Sequence, residues 1–355
     1  MKKKVLAILL AAAMLLTLAA CASTSAPSED KTETPAAENP SENTTEAPAA
    51  SDAAEPAETP ADGKTYVVGI CQLVQHEALD AATQGFKDAL TEALGDAVTF
   101  EEQNASGDIP TCGTIVSGFV ASNVDLILAN ATPALQAAVS ATQEIPILGT
   151  AVTEYGVALD IENFGGTVGG NVSGTSDLAP LDQQAQMLTE LLPEAKTVGI
   201  LYCSAEANSV YQADVVKQCL EQMGLTVNVY TFADSNDVAT VTSTACAEND
   251  ALYIPTDNTA ASCTEAINNV AEPAGVPIIA GEEGICKGCG IATLSISYYE
   301  LGVTTGKMAA KILTGEANIS EMPIEYYQDP VKKYDAARCE ALGISIPEGY
   351  EAIEG

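Results

Sequence analysis

The 355-residue sequence has no tryptophan, one histidine (His76), one arginine (Arg338) and 5 phenylalanines. Each scarcity removes a class of chemistry. One imidazole cannot complete a Cys/His zinc set, even beside the lone pair in Cys286-Lys287-Gly288-Cys289, so no metal and no cofactor is expected. One guanidinium, late in the chain, leaves no arginine clamp for an anion. Lysine and arginine together number 14 against 49 acids, a formal net charge of −35. So acidic a surface repels phosphate backbones and excludes nucleic-acid partners. Aromatic residues make up 5%, which disfavours the ring-stacking pocket of a hexose binder. No Gly-x-Ser-x-Gly, phosphate-loop or Gly-x-Gly-x-x-Gly motif is present, so no enzyme is expected.

What is present begins with Lys2-Lys3-Lys4 and an apolar run over 5–18. A transmembrane helix needs about 20 apolar residues, so this run reads as a signal peptide over 1–20. Leu18-Ala19-Ala20-Cys21 resembles a bacterial lipobox, which implies cleavage before Cys21 and its lipidation. The expected location is the outer face of the cell membrane, held by a lipid anchor. Residues 21–64 are Ala, Pro, Ser, Thr and Glu, too polar to bury a core, and are expected to form an acidic disordered tether. Beyond Cys21 nine cysteines remain, an odd number for internal pairing. Most read as small buried hydrophobes.

From Tyr66 onward short apolar runs alternate with helical spacing. Strands are expected over 66–71, 98–100, 125–129 and 145–149, separated by helices over 78–94, 112–121 and 133–142. Glycines then cluster over 165–174 and read as a hinge crossing. The alternation restarts with helices over 180–192, 209–223, 238–247 and 259–271 and strands over 197–202, 226–232, 251–254, 277–280 and 291–296. The expected fold is α/β: two parallel-sheet lobes joined by a hinge, divided as 65–172 with 298–323 and 173–297 with 324–355. Ligands in such sheets lie outside the carboxyl ends of the strands, where the loops of both lobes would share one cleft. Those loops are 72–77, 130–132, 150–155, 203–208, 255–258, 281–284 and 297–298.

Five pieces in order carry a family resemblance. They are Gly69-Ile70-Cys71-Gln72 continuing through His76-Glu77-Ala78-Leu79-Asp80 to Gly85-Phe86-Lys87-Asp88; Ala131-Thr132-Pro133-Ala134; Glu206-Ala207-Asn208-Ser209; Pro255-Thr256-Asp257-Asn258; and Tyr298-Tyr299-Glu300-Leu301-Gly302. Over roughly 66–325 the chain resembles bacterial ABC-transporter solute-binding lipoproteins of the type I periplasmic-binding-protein fold, a family that includes tryptophan and tyrosine binders. The resemblance implies capture of a small solute, with an ABC permease and ATPase as partners and the chain acting as a monomer. Departures fall at Cys203-Ser204-Ala205, at Thr153-Glu154-Tyr155 and at Ser297, where the family usually has aspartate.

The candidate ligand-binding residues are Gln72, His76, Thr132, Thr153, Glu154, Asn208, Ser209, Asp257, Asn258, Glu282 and Ser297. Without an arginine, an amino-acid carboxylate must be met by helix starts and hydroxyls, at Thr132 and Asn208-Ser209. The ammonium is expected near Asp257 or Glu154. Plain helix capping competes with ligand binding at Thr132, Asn208-Ser209 and Asp257-Asn258. An aromatic or branched amino acid is the expected solute. The alternatives are a nucleoside- or sugar-like solute, or a sensing or structural surface lipoprotein without transport.

Overall fold

The computed structural model describes residues 63–353. The signal peptide, Cys21 and nearly all of the expected tether therefore lie outside the described residues.

The first lobe runs β1 (Tyr66–Gln72), α1 (Glu77–Leu94), β2 (Val98–Asn104), α2 (Ile109–Ser122), β3 (Leu126–Asn130), α3 (Thr132–Ala141), β4 (Ile147–Val152), α4 (Tyr155–Ala158) and β5 (Val172–Ser176). The second continues α5 (Leu181–Leu191), β6 (Thr197–Cys203), α6 (Ala207–Gln222), β7 (Thr226–Phe232), α7 (Val238–Glu248), β8 (Ala251–Ile254), α8 (Asn258–Ser262), α9 (Thr264–Ala274), β9 (Ile278–Ala280), α10 (Glu283–Cys289) and β10 (Ala292–Ser295). The chain then returns to the first lobe with α11 (Tyr298–Leu313) and β11 (Glu325–Tyr326). It closes on the second with β12 (Val331–Tyr334), α12 (Ala336–Leu342) and β13 (Glu351–Ala352). The sheets are ordered β11-β5-β4-β3-β1-β2 and β13-β12-β10-β9-β8-β6-β7, parallel throughout except where β12 meets β10.

Apolar runs make the central strands because both faces of each sheet are covered. In the first lobe Ile70, Leu128, Phe86, Leu90 and Met308 fill one side of the sheet. Phe119, Val116, Leu135 and Tyr155 fill the other. Seven of the nine described cysteines are buried, and all nine are free thiols. The contact between α1 and α11 depends on glycine: a methyl group on Gly302 would collide with the Ala82 carbonyl, and one on Gly85 with that of Tyr299. This helix pair fixes α11, though late in sequence, to the first lobe.

The glycine cluster does not divide the lobes where the spacing suggests. Val172–Ser176 is a strand paired with β4 on one side and β11 on the other, so the first sheet extends past 172 and takes in Glu325 and Tyr326 beyond 323. Gly174 and Gly149 sit opposite each other in neighbouring strands, and the Tyr155 hydroxyl comes up against both. That hydroxyl donates to the Thr175 carbonyl at 3.0 Å. Glycine here gives room for a buried ring rather than a bend. The crossings lie further on, at 177–180, 296–297 and 327–330.

Candidate functional site

The carboxyl ends of both sheets face each other, and the cleft is built from the first turns that follow them. At β3, Ala131 adopts φ +102°, a conformation that L side chains rarely take, and is fully buried. Such strain persists only where the surroundings impose it. It delivers Thr132 to the first position of α3 with its hydroxyl buried and unpartnered. Thr132 is therefore not a cap; Ala131 occupies that position and makes no side-chain bond.

Several candidates do cap. Asp257 Oδ1 accepts from Ala260 N and Oδ2 from Cys203 N, both at 2.7 Å, tying the end of β6 to α8. Glu282 accepts from Gly284 N at 2.7 Å and from Ile285 N, and Glu154 from Val157 N at 2.6 Å. Ser297 accepts from Glu300 N at 3.2 Å. Gln72 is spent within the first lobe: it donates to Asp80 and to the Val74 carbonyl and accepts from the Thr83 hydroxyl. These five side chains hold their own helices and strands. They are brought to the rim, but each already has partners.

Two acids outside the candidate ligand-binding residues matter more. Glu206 is 1% exposed and is the common acceptor of the second lobe's rim. It receives Asn258 N and Nδ2, Thr259 N and Oγ1, and Asn208 Nδ2. Asp177, 4% exposed, follows β5 at the first crossing. Its Oδ2 accepts from the Tyr298 hydroxyl at 3.0 Å, while Oδ1 is buried without a partner. Burial pushes its carboxyl above the usual range; the Thr153 and Tyr298 hydroxyls facing it pull the other way. Asp177 was legible only to a reading that recognised 172–176 as a strand, because it is then the first residue beyond a carboxyl end.

The two lobes touch at the rim. Asn258 turns Nδ2 to Glu206, so its Oδ1 faces His76 Nε2 across the cleft at 3.3 Å, and that nitrogen donates. Lys287 on α10 reaches Glu77 on α1 at 3.2 Å. Burial lowers the His76 pKa, which keeps the imidazole neutral at pH 7. Ser209 is fully buried in the first turn of α6 beside Asn208.

Burial also pushes Asp257 and Glu282 up to about 7 each, with Glu206 adding to the effect on Asp257. The folded chain thus holds protons that the unfolded chain releases near pH 4. Stability should rise as pH falls from about 7 toward 4, by at most about 1.4 kcal/mol per unit for each group. His76 opposes this below about 6.5, whereas Asp177, also raised by burial, adds to it. Thermal melts at about pH 5 should exceed those at about pH 8 by several degrees, and Glu282→Gln should flatten the slope. A melting temperature that climbs with pH over that interval would contradict this electrostatic account.

The model of the ABC transporter substrate binding protein family matches residues 67–351. The chain belongs to this family. Membership places it among the extracytoplasmic binding components of ABC transporters, with a small-molecule ligand and permease partners, rather than among enzymes. A tyrosine-binding protein of Clostridioides difficile strain R20291 is 36% identical over 290 residues, covering 78% of this chain and 83% of that one. An ABC domain from Streptococcus pneumonia in complex with L-Trp is 32% identical, covers 82% of this chain and 100% of that one, and superposes with a TM-score of 0.78. The ligand-free, open structure of a substrate-binding protein with adhesive properties from Clostridium difficile is 37% identical and covers 82% and 99%, yet reaches a TM-score of only 0.62. The bridges His76–Asn258 and Glu77–Lys287 fit a closed cleft.

Proposed function

We propose that this chain is the lipid-anchored receptor of an ABC importer and that it encloses an α-amino acid as its zwitterion between the two lobes. The observation that carries the reading concerns three of the five buried polar side-chain atoms without partners among the described residues: Thr132 Oγ1, Asp177 Oδ1 and Asn208 Oδ1, the other two being Asn130 Oδ1 and Thr293 Oγ1. Such atoms are costly unless something occupies the space they face. All three stand beyond strand ends on opposed rims. The ammonium goes to Asp177, whose Oδ1 is buried and unpartnered, since both oxygens of Asp257 accept backbone N–H groups and Glu154 Oε2 caps its own helix. The carboxylate goes to the Thr132 hydroxyl and the free N–H groups opening α3, a ten-residue helix. Without an arginine in the cleft, the helix terminus supplies the positive potential. The tyrosine-binding relative and the L-Trp complex support an amino-acid ligand. We further propose anchoring through Cys21, action as a monomer, and lobes divided at the three crossings.

Calorimetry of the purified head should detect binding of one or a few amino acids and none of sugars or nucleosides. N-acetylation of the bound amino acid should abolish the heat. Equal binding of the N-acetyl derivative would defeat the zwitterion reading. In cells, Cys21→Ala should move the protein out of the membrane fraction or leave it unprocessed; normal processing with retention would remove the anchor.

A further inference from the structure

Two of the free thiols face each other inside the first lobe. Cys71 stands near the carboxyl end of β1 and Cys112 in the opening turn of α2, and both are fully buried. Alternation along the strand puts Gly69 and Cys71 on one face, the face that α2 covers. There the ring of Phe119 lies so near Gly69 that a methyl group on it would collide. Cys112, Val116 and Phe119 form one buried stripe of the helix. Cys112 stands two turns before Phe119, toward the end of the strand where Cys71 lies. The loop that enters α2 is tied to the same place: Ala105 N donates to the Gln72 carbonyl and Gly107 N to the Leu73 carbonyl, each at 2.9 Å. The two thiols share a hydrogen bond, which holds Cys112 below the ordinary thiol range and pushes Cys71 above it. Cys203, Cys289 and Cys339 instead turn their sulfurs to the carbonyls of Ala233, Ile285 and Ile291. The Cys-x-x-Cys pair of α10 thus has one sulfur directed back along its own helix.

Membership of the family puts the chain on the extracytoplasmic side of the membrane, where neighbouring thiols oxidise and stay oxidised. We propose that Cys71 and Cys112 are joined by a disulfide in the exported protein, formed as the chain folds and before the core seals the sulfurs. The reaction is thiol–disulfide exchange with a disulfide-bearing oxidant. The thiolate of one cysteine attacks a sulfur of the oxidant and expels the other as a thiolate. The second cysteine then gives up its proton, attacks its partner's sulfur in the mixed disulfide and expels the remaining half of the oxidant. Two electrons pass to the oxidant, which leaves as two thiols and takes up the two protons. The bond closes a loop of about 40 residues and so restricts the unfolded chain. It also sits at the root of 72–76, the segment that carries His76 to Asn258, and braces the first lobe's side of the cleft. None of this depends on which solute is bound.

The test uses the full chain, purified without reductant from cells that export it, then alkylated as it is denatured and digested with trypsin. Cleavage after Lys64, Lys87 and Lys196 leaves Cys71 as the one cysteine of residues 65–87 and Cys112 as the one cysteine of residues 88–196. The two peptides should appear as a single linked species that reduction separates. Recovery of both cysteines as alkylated residues in separate peptides overturns the proposal, and so does a linkage of either one to another cysteine. Protein unfolded, reduced and refolded in reductant should melt about 5 °C or more below the exported form, while the same treatment should leave Cys112→Ala unmoved. Equal melting temperatures for the two forms of the unaltered protein would also overturn it. The peptide map decides the matter even where the variant fails to fold.

Discussion

Asp177→Asn should lower amino-acid affinity by about 30- to 5,000-fold, equivalent to about 2–5 kcal/mol, while leaving the melting temperature of the free protein unchanged or raised. The substitution keeps the shape and an acceptor for the Tyr298 hydroxyl, which lies 3.0 Å from Oδ2. It removes a charge that is 4% exposed and has no cation opposite it among the described residues. A buried carboxylate without a counter-ion costs the free protein stability, and the free oxygen keeps that cost in place until a ligand ammonium arrives. A structural acid behaves the other way: its loss lowers stability and leaves affinity per folded molecule alone. Thr132→Val, which removes one neutral hydroxyl, should cost less, about 1–3 kcal/mol of binding. Calorimetry paired with thermal melts on both variants separates the cases. Undiminished affinity in a stably folded Asp177→Asn protein would remove Asp177 from the site.

Glu206→Gln should lower stability by about 3 kcal/mol or more. Oε2 accepts from Asn258 Nδ2 at 2.6 Å, Asn258 N at 3.1 Å and Asn208 Nδ2 at 3.2 Å. Oε1 accepts from Thr259 N at 2.9 Å and Thr259 Oγ1 at 2.8 Å. An amide has one acceptor oxygen, so either orientation sets an NH2 group against donors in a buried place. Thr259→Ala deletes a single one of these bonds and should cost about 1 kcal/mol. Urea unfolding of the two variants gives the ratio directly. The substitution also frees Asn208 and Asn258, so affinity should fall together with stability. A Glu206→Gln protein as stable as the parent would mean that the network contributes little.

Much of the fold was legible because its physical causes are local. Apolar runs such as Ile127-Leu128-Ala129 state that a strand is covered on both faces, and the spacing Leu79, Ala82, Phe86, Leu90 states which side of α1 is buried. The restart of the alternation after the glycine cluster announces a second sheet, and the sequence motifs announce the family. Strand β5 escaped because Val172-Ser173-Gly174-Thr175-Ser176 has one apolar side chain. Its glycine is required by Gly149 and the Tyr155 hydroxyl, which come from elsewhere in the chain.

The site divides along the same line. Sequence by itself determined where polar groups gather: Thr132, Asn208, Asp257, Glu282 and Ser297 all stand at helix starts after strands. It could not determine which of them are free, because a helix N-terminus presents the same unsatisfied N–H groups to its own cap as to a ligand. Only the tertiary structure shows that Asp257, Glu282 and Ser297, and one oxygen of Glu154, accept from backbone donors, whereas Thr132, Asp177 and Asn208 each retain a buried oxygen without a hydrogen-bond partner. Partners drawn from 48 residues away, as for Asn208 with Thr256, or 121, as for Tyr298 with Asp177, leave no mark in any local window of sequence. Burial then sets the consequence, since an unpaired oxygen exposed to water finds a partner there and one sealed between two lobes requires a ligand.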